Sequence, residues 1–261
     1  MSIDESLPVL QSYYLGARDD ATGALSGNWT LVSSTTSPGD VRVVLSTVNV
    51  FDQPTTAAVS PAARRNDISL PSPNHWRATA LCRGDAGSTG RILFGVCGPL
   101  TSSNSITEWQ LAAEFNQNID SLRLSSFNVA IMAIPFNITV NEWYRMGIEC
   151  YGNTAKLYFN TTGNVNPNSA PGIADLGVVS TVTLTSAQTP TGTVFPYFVF
   201  GGSAGANTTA LCDFMFDSLA PPQPIESGSG SFIGGLTPSP YTLYKNVRQI
   251  AAAANLISLG P

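Results

Sequence analysis

The order of apolar and polar residues along the chain is that of short strands joined by turns. It is clearest between residues 143 and 159, where every second position of the first half is apolar: Tyr144, Met146, Ile148 and Cys150. A period of two predicts a strand with one apolar face. Gly152 and Asn153 come next, and both tolerate a positive φ, so we expect a hairpin to a second strand that ends near Phe159.

Comparable runs predict strands over most of the chain between residues 28 and 220. They cover residues 29–32, 41–50, 76–82, 91–97, 105–115, 122–127, 129–134, 176–184, 194–200 and 211–219. The runs 76–82 and 91–97 flank a glycine-rich turn, which predicts a second hairpin with Cys82 near Cys97. In the run 105–115, Trp109 is expected on the same face as Leu111 and Phe115. The sequence therefore predicts an all-β protein.

Four local features resemble a known fold. They are the Trp143-Tyr144 lead-in, the Gly152-Asn153 turn, the strand ending Tyr158-Phe159-Asn160, and Phe216-Asp217 near the end of the last predicted strand. This arrangement resembles the concanavalin A-like (laminin G-like) jelly-roll sandwiches, over residues 40 to 220. The resemblance implies an antiparallel jelly-roll β-sandwich, and it concerns the fold rather than the function.

The chain divides into four predicted segments. Residues 1–27 are an N-terminal docking arm, residues 28–220 the sandwich, residues 221–240 a Pro/Gly/Ser linker, and residues 241–261 a short helical arm. The first arm is expected to dock either on its own domain or on a neighbouring subunit. A short tethered helix is not stable alone, so the second arm implies a partner surface. The predicted docking residues are Leu10, Tyr13, Tyr14, Tyr241, Tyr244, Val247 and Ile250.

Charged side chains are scarce. They make up 11% of the residues, and the formal net charge is −5, whereas about a quarter of the residues of a typical domain are charged. The surface is therefore expected to present hydroxyl and amide groups. Because the sequence has no basic run, we do not expect the protein to bind nucleic acid through electrostatic attraction.

The residues that usually carry catalysis do not form a recognisable set. His75 is the only histidine, and no nucleophile motif accompanies it. Glu108 and Glu114 would lie roughly 20 Å apart along a strand, too far for a pair that hydrolyses glycosides. Asp213 and Asp217 are not grouped in a calcium-binding loop. We therefore predict no enzymatic activity, no metal and no cofactor.

Aromatic residues near amides are the candidates for glycan binding. They are Trp76, Trp109, Tyr151 and Tyr158, although packing in the core or at a strand edge is the alternative for each. The four cysteines are expected to be buried thiols, and a Cys82–Cys97 disulfide remains open.

Two functions follow as expectations. The first is a virion structural protein, a capsid decoration or tail accessory subunit of a bacteriophage-like particle, which assembles through its terminal arms with itself and with other virion proteins. We expect no membrane partner, since no apolar run is long enough to span a bilayer and no signal peptide is recognised. A virion protein made in the host cytoplasm fits these features. The alternative is a lectin-like carbohydrate-binding module that acts in host or surface attachment.

Overall fold

Fifteen antiparallel strands form the described part of the chain. The computed structural model describes residues 3, 7–15, 28–31, 39–44, 48–52, 62–85, 90–99, 109–127, 129–160, 162–166, 172–201 and 209–221. The strands are β1 Val9–Tyr14, β2 Trp29–Leu31, β3 Gly39–Val44, β4 Val48–Asp52, β5 Ala62–Arg65, β6 His75–Gly84, β7 Arg91–Cys97, β8 Trp109–Asn116, β9 Ser121–Ser126, β10 Val129–Pro135, β11 Trp143–Tyr151, β12 Thr154–Phe159, β13 Gly177–Thr183, β14 Phe195–Gly201 and β15 Thr209–Leu219. A single 3₁₀ turn, Ile173–Asp175, precedes β13.

The strands pair into two sheets that pack face to face. Sheet A has the order β13-β12-β11-β6-β15-β4-β3, with β1 also paired to β15, and sheet B has the order β10-β9-β8-β7-β14-β5-β2. This is the predicted all-β jelly-roll sandwich. The described residues include no helix with the length and apolar character needed to cross a lipid bilayer.

The central hairpin is confirmed. Strand β11 pairs with β12 from Tyr151 opposite Thr154 to Met146 opposite Phe159. Gly152 has a φ of +63°, as the predicted turn requires. The apolar face of β11 enters the core between the sheets, so the period of two in the sequence correctly identified which face lies against the core.

The second predicted hairpin is wrong. Strand β6 pairs with β11 and β15 in sheet A, whereas β7 pairs with β8 and β14 in sheet B. The connection between β6 and β7 therefore crosses from one sheet to the other. Cys82 and Cys97 lie on different sheets, and all four cysteines are buried thiols without a disulfide. Burial raises the pKa of Cys150 to about 12, so this thiol is not a nucleophile at neutral pH.

The expected face of Trp109 is also wrong. Val96 pairs with Leu111 and Cys97 pairs with Trp109, so Gln110 is an extra residue in β8. Such a bulge breaks the alternation of side chains. Leu111 consequently faces the core, while Trp109 packs with a separate apolar cluster on the other face of sheet B.

Part of the predicted N-terminal arm is a strand of the sandwich. Strand β1 pairs with the second half of β15, from Val9 opposite Leu219 to Tyr14 opposite Met215. Tyr13 packs partly against the core, whereas Leu10 and Tyr14 are exposed. The predicted helical arm, with Tyr241, Tyr244, Val247 and Ile250, lies outside the described residues, as does the linker after Pro221.

Candidate functional site

Three of the four candidate aromatic residues, Trp76, Trp109 and Tyr158, are in positions that are incompatible with sugar stacking. Trp76 is fully buried in the core and stacks on Phe216, with ring centroids 5.3 Å apart. Tyr158 is also fully buried, because Ile3 and Leu176 pack over it on the outer face of sheet A. Neither ring has a face open to a ligand.

The remaining tryptophans are buried as well. Trp109 is 2% exposed, Trp143 is fully buried and Trp29 is 8% exposed. None of the four tryptophans of the chain is therefore accessible for stacking on a glycan.

Tyr151 is the candidate that is only partly buried. It ends β11 and is half-buried, with its ring edge-on to His75 at a centroid distance of 4.8 Å. The Nδ1 atom of His75 lies 2.8 Å from Ser72 Oγ and 3.0 Å from Asn74 Oδ1. Burial lowers the pKa of His75, so the imidazole is neutral at pH 7. The ring of Tyr151 thus packs against the neutral imidazole of His75, which hydrogen bonds to Ser72 and Asn74 hold in place.

Hydrogen bonds also fix the turn that follows Tyr151. Gly152 N donates to Asn74 O over 2.9 Å, and Asn74 Nδ2 donates to Gly152 O over 3.2 Å. Leu184 N donates to Asn153 O over 2.7 Å. The β11–β12 turn is therefore anchored on both sides, which keeps the tyrosine in one position without a ligand.

The loop after β13 connects this turn to sheet B. Ser126 Oγ donates to Gln188 O over 3.0 Å. Gln110 exchanges two hydrogen bonds with Thr191, of 3.1 Å and 2.7 Å. The bulge that turns Trp109 away from the core thus places an amide that holds the loop. We call the surface formed by residues 72–74, 110, 126–127, 151–154 and 184–193 the loop end.

Phe127 is a second accessible aromatic residue on the loop end, and the sequence analysis missed it. It is 41% exposed and has a φ of +44°. A positive φ is unfavourable for a bulky side chain and is often found where a residue serves a function. Its amide donates to Gln110 O over 3.2 Å, which holds it in this conformation. No local sequence signal marks a phenylalanine for such a turn.

The loop end carries no charged side chain. Its residues are Ser-Pro-Asn, Gln, Ser-Phe, Tyr-Gly-Asn-Thr and Leu-Thr-Ser-Ala-Gln-Thr-Pro-Thr-Gly-Thr. Most of its polar groups are amides and hydroxyls, which both donate and accept hydrogen bonds. Together with the rings of Tyr151 and Phe127, they suit a neutral ligand that has both hydroxyl groups and apolar C–H faces.

The acidic residues considered for catalysis and calcium are engaged elsewhere. Asp213 accepts from Arg145 at 2.5 Å, and Asp217 accepts from Arg77 at 2.8 Å. Across the described ranges, no three His, Cys, Asp or Glu side chains converge to hold a metal ion. Asp213 and Asp217 are thus each paired with an arginine of sheet A.

Glu114 is buried on the outer face of sheet B. It accepts from Asn116 Nδ2 at 2.7 Å and from Ser125 Oγ at 3.1 Å, and Arg91 Nη1 lies 3.5 Å away. Glu108, the other acidic residue considered on this strand, lies outside the described residues.

The chain was compared with known proteins. No protein-family model matches the sequence, and no curated protein matches it. Peanut lectin with a bound nonapeptide is structurally similar, with a TM-score of 0.52, 9% identity, and coverage of 80% of this chain and 98% of the lectin. The Bauhinia forficata lectin in complex with GalNAc has a TM-score of 0.51 and 12% identity, over 80% and 98% of the two chains. The exoplasmic/lumenal domain of VIP36 in its Ca²⁺-bound form has a TM-score of 0.52 and 7% identity, over 86% and 97%. The fold of this chain is therefore a concanavalin A-like jelly-roll sandwich.

Proposed function

We propose that the chain is a non-enzymatic carbohydrate-binding module that takes a neutral glycan at the loop end. The observation that carries the proposal is the position of Tyr151. Its partly buried side chain packs against neutral His75, at a loop end whose other polar groups are uncharged amides and hydroxyls. A sugar ring would lie on this aromatic face while its hydroxyls exchange hydrogen bonds with the turn and with the loop 184–193.

The anchoring of the loop end supports binding. Asn74, Gly152 and Asn153 are held by hydrogen bonds within the chain, and Gln110 fixes the loop at Thr191. A surface that is already ordered loses little conformational entropy when a ligand binds. The fold is compatible with this role, since the Bauhinia lectin of the same architecture was solved in complex with GalNAc.

The environment of Glu114 supports a role without catalysis. Glycoside hydrolysis needs two carboxyl groups on either side of the scissile bond. One carboxylate oxygen of Glu114 accepts a hydrogen bond from Asn116 on the same strand, and the other accepts one from Ser125 on β9, so the group serves the structure of sheet B.

Assembly into a virion remains a prediction. The similar structures reported above are two plant lectins and the lumenal domain of VIP36, and they lend it no support. The described part of the N-terminal arm pairs with β15 of its own domain. Because this segment is already paired with β15, it does not need another subunit to dock on. This favours the glycan proposal over assembly through the N-terminal arm.

The test is binding of the full chain to a panel of neutral and acidic oligosaccharides, followed by titration calorimetry of the hits. We expect neutral sugars to bind, Tyr151→Ala to weaken binding at least tenfold, and Tyr151→Phe to retain most of it. Tyr14→Ala is the matched control, because Tyr14 is an exposed tyrosine on β1.

Two results would overturn the proposal. One is the absence of binding to any neutral sugar on the panel. The other is binding that Tyr14→Ala and Tyr151→Ala reduce equally, since that outcome would place the site away from the loop end.

A further inference from the structure

A polar cluster lies on the outer face of sheet B, at the strand ends opposite to the loop end. Its members are neighbours on three adjacent strands: Arg91 on β7, Glu114 and Asn116 on β8, and Ser121 and Arg123 on β9. They alternate with Phe115 and Leu122, which face the core. Asn116 lies at the far end of β8 from the bulge at the loop end, a separation of roughly 20 Å at the rise of a strand. The polar cluster is therefore separate from the loop end.

Glu114 is the fixed centre of the polar cluster. It is 2% exposed. Its two carboxylate oxygens accept from Asn116 Nδ2 and from Ser125 Oγ, and Arg91 Nη1 lies 3.5 Å from Oε1. The hydrogen bond from Nδ2 also sets the orientation of the Asn116 amide, so that its Oδ1 atom is left as an acceptor for another group.

Three polar atoms of the cluster are buried and lack a hydrogen-bond partner among the described residues. They are Asn116 Oδ1, Ser121 Oγ and Arg123 Nε. Asn116 and Ser121 are each only 5% exposed. Buried polar groups are paired in most folded proteins. An open acceptor, an open hydroxyl and an open guanidinium donor within one cluster therefore indicate a ligand that supplies their partners.

The polar cluster is open on the side of the edge strand β10. Ala133 lies opposite Arg123 and Pro135 lies opposite Ser121, and both are exposed. Neither side chain is long enough to cover its neighbour. On the other side, the Arg91 side chain is 34% exposed and crosses the last residue of β14, a glycine whose added Cβ would lie 2.5 Å from Arg91 Nε. A ligand thus has access to both arginines.

Charge selects the class of ligand. Two arginines and one glutamate give the cluster a formal charge of about +1, in a chain whose net charge is −5. Asp120, which precedes Ser121, is directed to the segment after β10, where its Oδ1 atom accepts from Ile138 N over 3.4 Å. Guanidinium groups bind planar carboxylates through paired hydrogen bonds. The Oδ1 atom of Asn116 requires a hydroxyl or amine donor instead.

We propose that the polar cluster binds a carboxylate that has hydroxyl groups beside it, as in an acidic sugar. Arg123 and Arg91 hold the carboxylate. One hydroxyl donates to Asn116 Oδ1, and another exchanges a hydrogen bond with Ser121 Oγ. This site does not depend on the loop end, which takes a neutral ligand, and Glu114 only holds the surrounding side chains in position.

The test is titration calorimetry of the full chain with D-glucuronate and D-glucose at pH 7. We expect glucuronate to bind with the same affinity in Tyr151→Ala as in the unmodified chain, because Tyr151 belongs to the loop end. Arg123→Gln should weaken glucuronate binding at least tenfold, and Arg123→Lys should weaken it less. Glucose, which lacks the carboxylate, should bind equally to Arg123→Gln and to the unmodified chain.

The matched control is Arg65→Gln. Arg65 lies on β5 of the same sheet and pairs with Asp67, so its replacement removes one positive charge without touching the polar cluster, and glucuronate affinity should not change. Lactate distinguishes the source of the carboxylate. Equal affinities for lactate and glucuronate would identify a small hydroxy acid as the ligand, whereas tighter binding of glucuronate would identify an acidic sugar.

Thermal unfolding provides a second readout. Because Arg123 Nε has no partner among the described residues, Arg123→Gln should leave the melting temperature of the free protein unchanged. Glucuronate should raise the melting temperature of the unmodified chain but not that of the variant. The proposal is overturned if millimolar glucuronate neither binds nor stabilises, if Arg123→Gln binds it as well as the unmodified chain, or if Tyr151→Ala abolishes its binding. A strongly destabilised Arg123→Gln would also overturn it, since Arg123 would then serve the fold.

Discussion

Arg145 reaches across strand β6 to bind Asp213 on β15. Its Nη2 atom donates to Asp213 Oδ2 over 2.5 Å, and the Arg145 side chain is 3% exposed. Asp213 has a φ of +51° at a bulge, where Cys212 pairs with Leu81 and Met215 with Thr79. An ion pair across three strands therefore stabilises a backbone conformation that is unfavourable for most residues.

Replacing Arg145 with methionine should destabilise the fold by about 3 kcal/mol, because it leaves the carboxylate of Asp213 poorly compensated. Chemical denaturation would measure this loss. Asp213→Asn is the companion variant, since asparagine tolerates a positive φ. In the double variant Arg145→Met/Asp213→Asn, the two losses should be clearly less than additive. Simple additivity would show that the two side chains do not stabilise one another.

The stability of the protein should fall on acidification partly because of His75. Burial lowers its pKa in the folded chain, so below pH 6.5 the unfolded state binds more protons at this residue than the folded state. The free energy of unfolding therefore decreases as pH falls through that range. His75 is the only histidine, so one NMR titration curve gives its pKa, which we expect below 6.5.

The control for His75 is the variant His75→Gln, which should lose less stability between pH 7.5 and pH 5 than the unmodified chain does. Acidic side chains titrate in both proteins, so the difference between the two curves isolates the histidine. Identical slopes would contradict the assignment.

Glycine at position 95 should be essential, whereas glycine at 152 should be replaceable. A Cβ at Gly95 would lie 2.2 Å from the carbonyl oxygen of Leu111 on the neighbouring strand. Gly95→Ala must push β7 and β8 apart, and we expect a loss of about 3 kcal/mol or more. Gly152 has no atom within 4 Å of such a Cβ but has a φ of +63°, so Gly152→Ala should cost about 1 kcal/mol. Thermal unfolding of the two variants tests the order.

Tryptophan fluorescence should not report ligand binding at the loop end. All four tryptophans are buried, so acrylamide should quench the folded chain poorly and a bound sugar should leave the emission unchanged. If a ligand that binds by calorimetry also shifts the tryptophan emission markedly, its site is not the loop end.

Local features of the fold were predictable from the sequence, because a turn and an alternation lie within a few residues of one another. The Gly152 hairpin and the core-facing side of β11 are of this kind. The run 41–50 was harder, since it holds the two strands β3 and β4, paired through Val43 and Asn49. The turn between these strands contains no glycine or proline that would show where β3 ends.

Non-local features were not predictable. The burial of Tyr158 depends on Ile3, some 150 residues earlier in the chain, and no pattern near either residue signals the contact. The same is true of sheet membership, which separates Cys82 from Cys97 although the two strands are consecutive. For the candidate site, the sequence identified Tyr151 but gave no means to separate it from Trp76, because accessibility is set by the packing of both sheets.

The position of β6 in sheet A has a consequence for synthesis of the protein. Both partners of this strand, β11 and β15, come later in the chain, and Arg77 and Asp217 are 140 residues apart. While the ribosome is still translating, β6 has two open edges and an apolar face without its neighbours. The sheet is completed only after β15 has emerged, so folding should be slow and largely post-translational. During that interval the nascent chain would depend on chaperones to keep β6 from pairing with other chains.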